Sequence, residues 1–181
     1  LYGKGIAHSA LGEIDQAERT YDAFTHAVQR IPKESVLLNN TCEDVMAVGE
    51  AMLNGELEYR KHNFDAAFEK LREAVRRDDS LNYTEPWAWM HPPRHALGAL
   101  LAEQGRFDEA QATFRADLGD DVSVPRCCQH PNNVWALHGL SECLERAGDT
   151  AESLAVQKRL EAAQARTDIT ITSSCFCRGA R

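Results

Sequence analysis

No run of about 18 or more apolar residues occurs in this 181-residue chain, so no stretch is long enough to cross a membrane as a helix. Positive charge is also in short supply. Twenty Lys and Arg against 28 Asp and Glu leave a net charge of −8, whereas phosphate neutralisation needs clustered cations, so a general nucleic-acid binder is excluded. Cysteines occur at 42, 127, 128, 143, 175 and 177, without the density and spacing of a small secreted disulfide framework. Neither an initiator Met nor a secretory n-region or h-region opens the sequence. The expectation is a piece of a longer protein in a reducing cytoplasm, with thiols available as ligands. Paired C-x-x-C spacings, a Gly-rich phosphate loop, a Ser–His–Asp order and paired catalytic carboxylates are all missing. Glu85, Glu142 and Glu145 are candidate acids by location alone.

With 43% hydrophobic residues the chain can bury a real core, and one domain is expected. Its organising stretch is Arg94 to Leu118. Leu97, Leu100 and Leu101 form one apolar helical stripe, Gly105 ends that helix, and Phe107, Ala110 and Phe114 form the next stripe. Leu97 and Gly98 in the first helix, Gly105 at the turn, and Ala110 and Phe114 in the second resemble a tetratricopeptide repeat at its diagnostic places. That resemblance implies an all-α, right-handed α-solenoid of helical hairpins with a concave groove.

The signature recurs when the chain is aligned on the turn: Gly12 with Ala17 and Tyr21, His62-Asn63 with Ala67 and Leu71, Gly105 with Ala110 and Phe114, Gly148 with Ser153 and Gln157. Gly5, Gly55 and Gly98 stand seven residues before their turns, with Ser141 in that place in the fourth unit, where small residues let two helix backbones approach. Four hairpins are therefore predicted, the fourth degraded in its second helix. Lys4 and Asn54 break the apolar pattern of the first two units.

Turns at 12, 62, 105 and 148 give steps of 50, 43 and 43 residues, against about 34 for an ordinary repeat, so the linkers carry insertions. The first, Ile31 to Asn40, leads to Thr41 and Asp44, a capping pair for a helix from Cys42 to about Lys61. The second, Asp78 to Met90, precedes a helix begun by Pro92 and Pro93, and the third, Gly119 to His130, precedes one begun by Pro131. The last two hold Trp87, Trp89, Met90, His91, Cys127, Cys128 and His130, types that a mere connection does not need. The solenoid is expected over 1–166. The closing segment 167–181, with Ile169, Ile171 and the run Cys175-Phe176-Cys177-Arg178, is expected to pack back on it.

In the tetratricopeptide family the residue three before the first-helix glycine faces the groove, which implies that Tyr2, Met52, His95 and His138 hold equivalent places. Met52, Tyr59, Trp87, Arg94, His95, Trp135 and His138 are accordingly the groove-lining candidates. Cys128, His95, His138, Cys175 and Cys177 are the metal-ligand candidates, since thiolates with imidazoles favour copper or zinc. A Cys175–Cys177 disulfide, a Cys128–tail disulfide or plain burial are the alternatives. Cys42 and Cys143 are expected in the core, and Arg94, Arg126 and Arg178 flank a region where a small anionic ligand could bind. The segments EPWAWM, PRHALGALL, CQHPNNVWALHGL and SSCFCR also resemble a group of bacterial and fungal repeat proteins of unassigned function, over about Leu57 to Arg178. That likeness supplies no reaction.

The leading expectation is a scaffold that holds an extended peptide or partner protein in the groove. The rival is a metal-dependent, redox-capable enzyme whose tail serves as a lid; a third reading is a structural fragment of a larger assembly.

Overall fold

A computed structural model describes residues 1–175, 177 and 178. It is all-α apart from one two-stranded hairpin, and the described residues form four helical hairpins, α1 Tyr2–Ala10 with α2 Ile14–Val28, α3 Cys42–Arg60 with α4 Phe64–Asp79, α5 Pro93–Glu103 with α6 Phe107–Leu118, and α7 Val134–Ala147 with α8 Thr150–Gln164. The chain divides into two compact units, Leu1–Pro93 and Arg94–Arg181. No described helix is long and apolar enough to cross a membrane.

The four turns share one backbone solution. Gly12, Gly105 and Gly148 have φ of 74, 74 and 78°, and His62 takes the same left-handed conformation at 63°. Three positions therefore use the residue with no Cβ penalty, while the second repeat carries the cost of a side chain there. The His62 ring is recovered in part by an edge contact with Phe64, at 5.7 Å between centroids.

In the first unit α3 is the central helix, packed by α1, α2 and α4. Its start is fixed by Thr41, whose Oγ1 accepts from the Asp44 amide at 3.0 Å and donates to the Asp44 carboxylate at 2.6 Å. Val45, Val48, Met52 and Leu53 of α3 are buried with Phe68 and Leu71 of α4. Gly55 lets Leu71 come so close that a Cβ there would lie 2.8 Å from it, and Gly5 does the same for Leu53 at 2.7 Å. Lys4 is exposed, so its break in the apolar pattern costs no burial.

The second unit is built round Phe114. Its ring fills the space between two glycines, Gly98 of α5 and Gly139 of α7, where added Cβ atoms would stand 2.6 and 2.3 Å from its Cζ. One aromatic of α6 thus joins its own hairpin partner to the next repeat. Leu100, Leu101, Leu137, Leu140 and Leu144 complete this core. α8 runs unbroken for 15 residues, so the weak signature of the fourth repeat leaves its helix intact and reduces what that helix buries to Ser153, Val156 and Ala163.

The insertions depart from the sequence reading in detail. Residues 31–40 contribute a β-hairpin, β1 Val36–Leu37 paired antiparallel with β2 Asn40–Thr41. Pro131 lies in a turn, and α7 begins three residues later, where the Asn133 side chain accepts from the amides of Trp135 and Ala136 at 3.0 and 3.2 Å. Residues 169–171 form no strand.

Candidate functional site

Helix α6 places Asp117 one turn beyond Phe114, on the buried face that Ala110 and Phe114 already define. A carboxylate in that position needs donors. His95 of α5 supplies one at 2.9 Å to Oδ2, and His130 of the 119–133 linker supplies another at 2.8 Å to Oδ1. The His130 amide also donates to the Asp117 carbonyl at 2.6 Å. Burial by itself raises the pKa of Asp117, yet the hydrogen bonds from His130 and His95, together with their charge, hold it at about 2. An ionised carboxylate only accepts, so His95 Nε2 and His130 Nδ1 are the protonated nitrogens. Asp117 is wholly buried and the imidazoles nearly so. The trio fastens α5, α6 and the entry to α7 to one another.

The C-terminal segment lies on the same unit. Ile171, Ser174, Cys175 and Cys177 are buried. Arg178 donates through Nη1 and Nη2 to the two oxygens of Glu142 on α7, at 2.5 and 3.1 Å, and its Nε stands 3.9 Å from Glu103 of α5. This bidentate pairing raises the pKa of Arg178; in Glu142 it outweighs burial and brings the carboxyl down. The turn that presents the guanidinium is local: Cys175 and Cys177 form a disulfide, and the Arg178 amide donates to the Cys175 carbonyl at 3.3 Å. Phe176 and residues 179–181 of the tail lie outside the described residues.

Beside the ion pair, on α7, stands His138. It is half-buried, its Nδ1 is enclosed without a hydrogen-bond partner, and its pKa is lowered chiefly by burial, with Glu142 opposing and Arg178 adding to the shift. Trp135, one turn earlier, is half-buried as well. Glu103, Glu142 and His138 thus stand round the Arg178 guanidinium.

Segments 1–23 and 95–167 both match tetratricopeptide repeat families, and together these cover a little over half of the residues. These two segments carry tetratricopeptide-type repeats. No curated protein matches it. The matched segments hold α1 and most of α2, and then α5 to α8. Between them lie the long α3 and the first two insertions.

Several sequence-predicted residues of this repeat protein stand elsewhere than in a groove. Met52 and Tyr59 are core, at 2 and 4% exposure. Met52 Sδ receives the Trp89 indole N–H at 3.0 Å, and Trp89 in turn lies edge-on to Tyr2 with centroids 4.9 Å apart and over Gly49. The insertion before α5 therefore covers the position that Met52 was expected to show. Tyr59 packs on Phe64 and Phe68 across its own hairpin. His95 is turned to Asp117, and Arg94 is buried. Trp87 is 46% exposed. His91 precedes α5, as its two following prolines suggest, and its Nδ1 lies 3.3 Å from the Tyr2 hydroxyl.

The ligand set Cys128, His95, His138, Cys175 and Cys177 does not assemble. Two of the thiols are spent on each other, His95 on Asp117, and among the described residues no group of three or more His, Cys, Asp or Glu is arranged to hold a metal ion. Of the arginines expected near an anion, Arg178 is matched by Glu142 and Glu103, Arg94 is buried and Arg126 is exposed. Cys143 is core, with burial pushing its thiol up to about 12, but Cys42 is half-exposed at the start of α3.

The first unit carries an exposed apolar surface of its own. Asn40 and Asn82 exchange side-chain and backbone hydrogen bonds, at 2.9 Å from Asn40 Nδ2 to the Asn82 carbonyl and 2.7 Å from the Asn82 amide to Asn40 Oδ1, and so tie the β-hairpin to the tryptophan-bearing insertion. Val36, Leu38, Tyr83 and Met90 project from the joined loops at 53 to 67% exposure.

Proposed function

We propose that the protein is a scaffold that binds an extended segment of a protein partner on the side of its second unit formed by the first helices of the two hairpins, α5 and α7. What supports the reading is that Arg178 of the C-terminal segment is anchored on Glu142 of α7, with Cys175 and Cys177 next to it buried. Tetratricopeptide repeats are interaction modules, and the half-buried rings of Trp135 and His138, one turn apart on α7, are surfaces against which a peptide side chain would be held. Among the described residues the metal-dependent alternative has no group of three or more donors to act through.

A random peptide library displayed on phage and selected against the full chain tests this. Selected peptides are expected to lose at least tenfold in affinity on Trp135→Ala or His138→Ala and to be indifferent to Leu154→Ala, which removes a 60% exposed side chain of α8. Selected peptides that ignore Trp135 and His138, or that respond equally to Leu154, contradict the reading.

A further inference from the structure

Arg178 is held by carboxylates that belong to two different repeats. Glu142 comes from α7 and Glu103 from α5, while the guanidinium comes from neither hairpin but from the chain terminus. The Arg178 side chain is 10% exposed, so both carboxylates meet it largely out of water, where a charged pair with bidentate geometry discriminates strongly between partners. The residues that lead to it share a pattern. Ile171, Ser174, Cys175 and Cys177 are covered, Thr172 is exposed, and Cys175 and Cys177 are joined by a disulfide.

Ser174 Oγ is buried and has no hydrogen-bond partner, and Ser173 Oγ donates back to the Cys175 carbonyl at 2.7 Å. His138 Nδ1, beside the ion pair, is also enclosed and unpartnered. A segment matched to its seat as a permanent part of the fold would be expected to satisfy such groups. The anchoring is concentrated in the arginine.

Resting on the binding scaffold proposed above, we infer that Glu103 and Glu142 form a receptor for an arginine carried on a segment of a partner, and that the chain's own Arg178 occupies it in cis, with Ile171, Ser174, Cys175 and Cys177 buried ahead of it. The partner has the chemistry of the tail: small or apolar side chains followed by an arginine that enters the carboxylate pair. The tail is a competitor, and its local concentration sets the affinity that a partner in trans must exceed. Lysine does not substitute for the arginine, because a point charge cannot engage both oxygens of Glu142 in parallel.

The test uses the full chain and a synthetic, disulfide-closed peptide of residues 169–178 labelled at its N-terminus. Arg178→Glu in the protein places like charge against Glu142 and Glu103 and releases the tail without touching either repeat. This variant is expected to bind the peptide at least tenfold more tightly than the unmodified chain, to bind the peptide bearing Arg→Lys at least tenfold more weakly, and to lose the peptide when Glu142→Gln is added. Helical circular dichroism checks that each variant is folded; should Arg178→Glu fail that check, Arg178→Gln serves in its place. Equal affinity for the unmodified and tail-released proteins overturns the cis-occupancy. Equal affinity for the arginine and lysine peptides overturns the receptor while leaving the binding face, provided that Trp135→Ala still weakens both. No binding of the peptide to a folded, tail-released protein overturns the inference; if library-selected peptides that depend on Trp135 still bind that protein, the scaffold reading stands without it.

Discussion

Asp117→Ala is expected to destabilise the protein by about 3–5 kcal/mol, the range for removing one partner of a buried, hydrogen-bonded charge cluster. Two imidazoles then lose their common acceptor, and neither can turn to water, since His95 and His130 are 4 and 8% exposed. The loss is read as a fall of more than about 10 °C in the thermal midpoint followed by circular dichroism at neutral pH. A fall within about 2 °C would show that the trio contributes little. Asp117→Asn keeps the shape and isolates the charge. Because the folded pKa of Asp117 is about 2, below the ordinary carboxylate value of 3.8, its contribution is complete above about pH 4 and disappears as pH falls through about 2. Acid titration of the wild type is expected to show that loss, and Asp117→Asn is expected to lack it.

Phe114→Ala is expected to cost about 3–5 kcal/mol, as for a large aromatic removed from a full core. Its ring is completely buried and is the filler between Gly98 and Gly139. The complementary change, Gly139→Ala, adds a methyl group where Phe114 Cζ would stand 2.3 Å away, and overpacking of that kind costs about 1–3 kcal/mol. The two effects share one space, so they are expected not to add: Phe114→Leu combined with Gly139→Ala should be more stable than the sum of the single changes implies. Chemical denaturation of the four proteins gives the coupling directly. Simple additivity would show that the ring is free to move aside.

The hairpins were legible because each turn and each stripe is encoded locally. Gly12, Gly105 and Gly148 mark places where the backbone must turn left-handed, and even His62 could be aligned because Ala67 and Leu71 keep the spacing of the helix that follows. Thr41 and Asp44 announced the start of α3 by chemistry confined to four residues. The groove was another matter. Met52 and His95 stand at positions that look outward in a bare repeat, and what hides or redirects them, Trp89 for one and Asp117 for the other, is remote in sequence. Asp117 itself left a signal that the apolar periodicity contained. A carboxylate three residues after Phe114 falls on the buried face and must be paired there, and His95, one of the two histidines that pair it, was read as a ligand instead. The tail's arginine could not be assigned by pattern, because its partners come from two helices that no local rule connects.

In the cis occupancy inferred above, Arg178 holds the tail on Glu142 of α7 and Glu103 of α5, and the tail can leave. Amide hydrogen exchange of the full chain, compared with Arg178→Glu under identical conditions, tests it most directly. The account predicts that exchange rises by at least tenfold at the amides of Cys177 and Arg178, whose acceptors lie within the tail turn, while the amides of α6 and α8 keep their protection. Unchanged exchange in the tail, or a loss of protection spread evenly through α6 and α8, would contradict it.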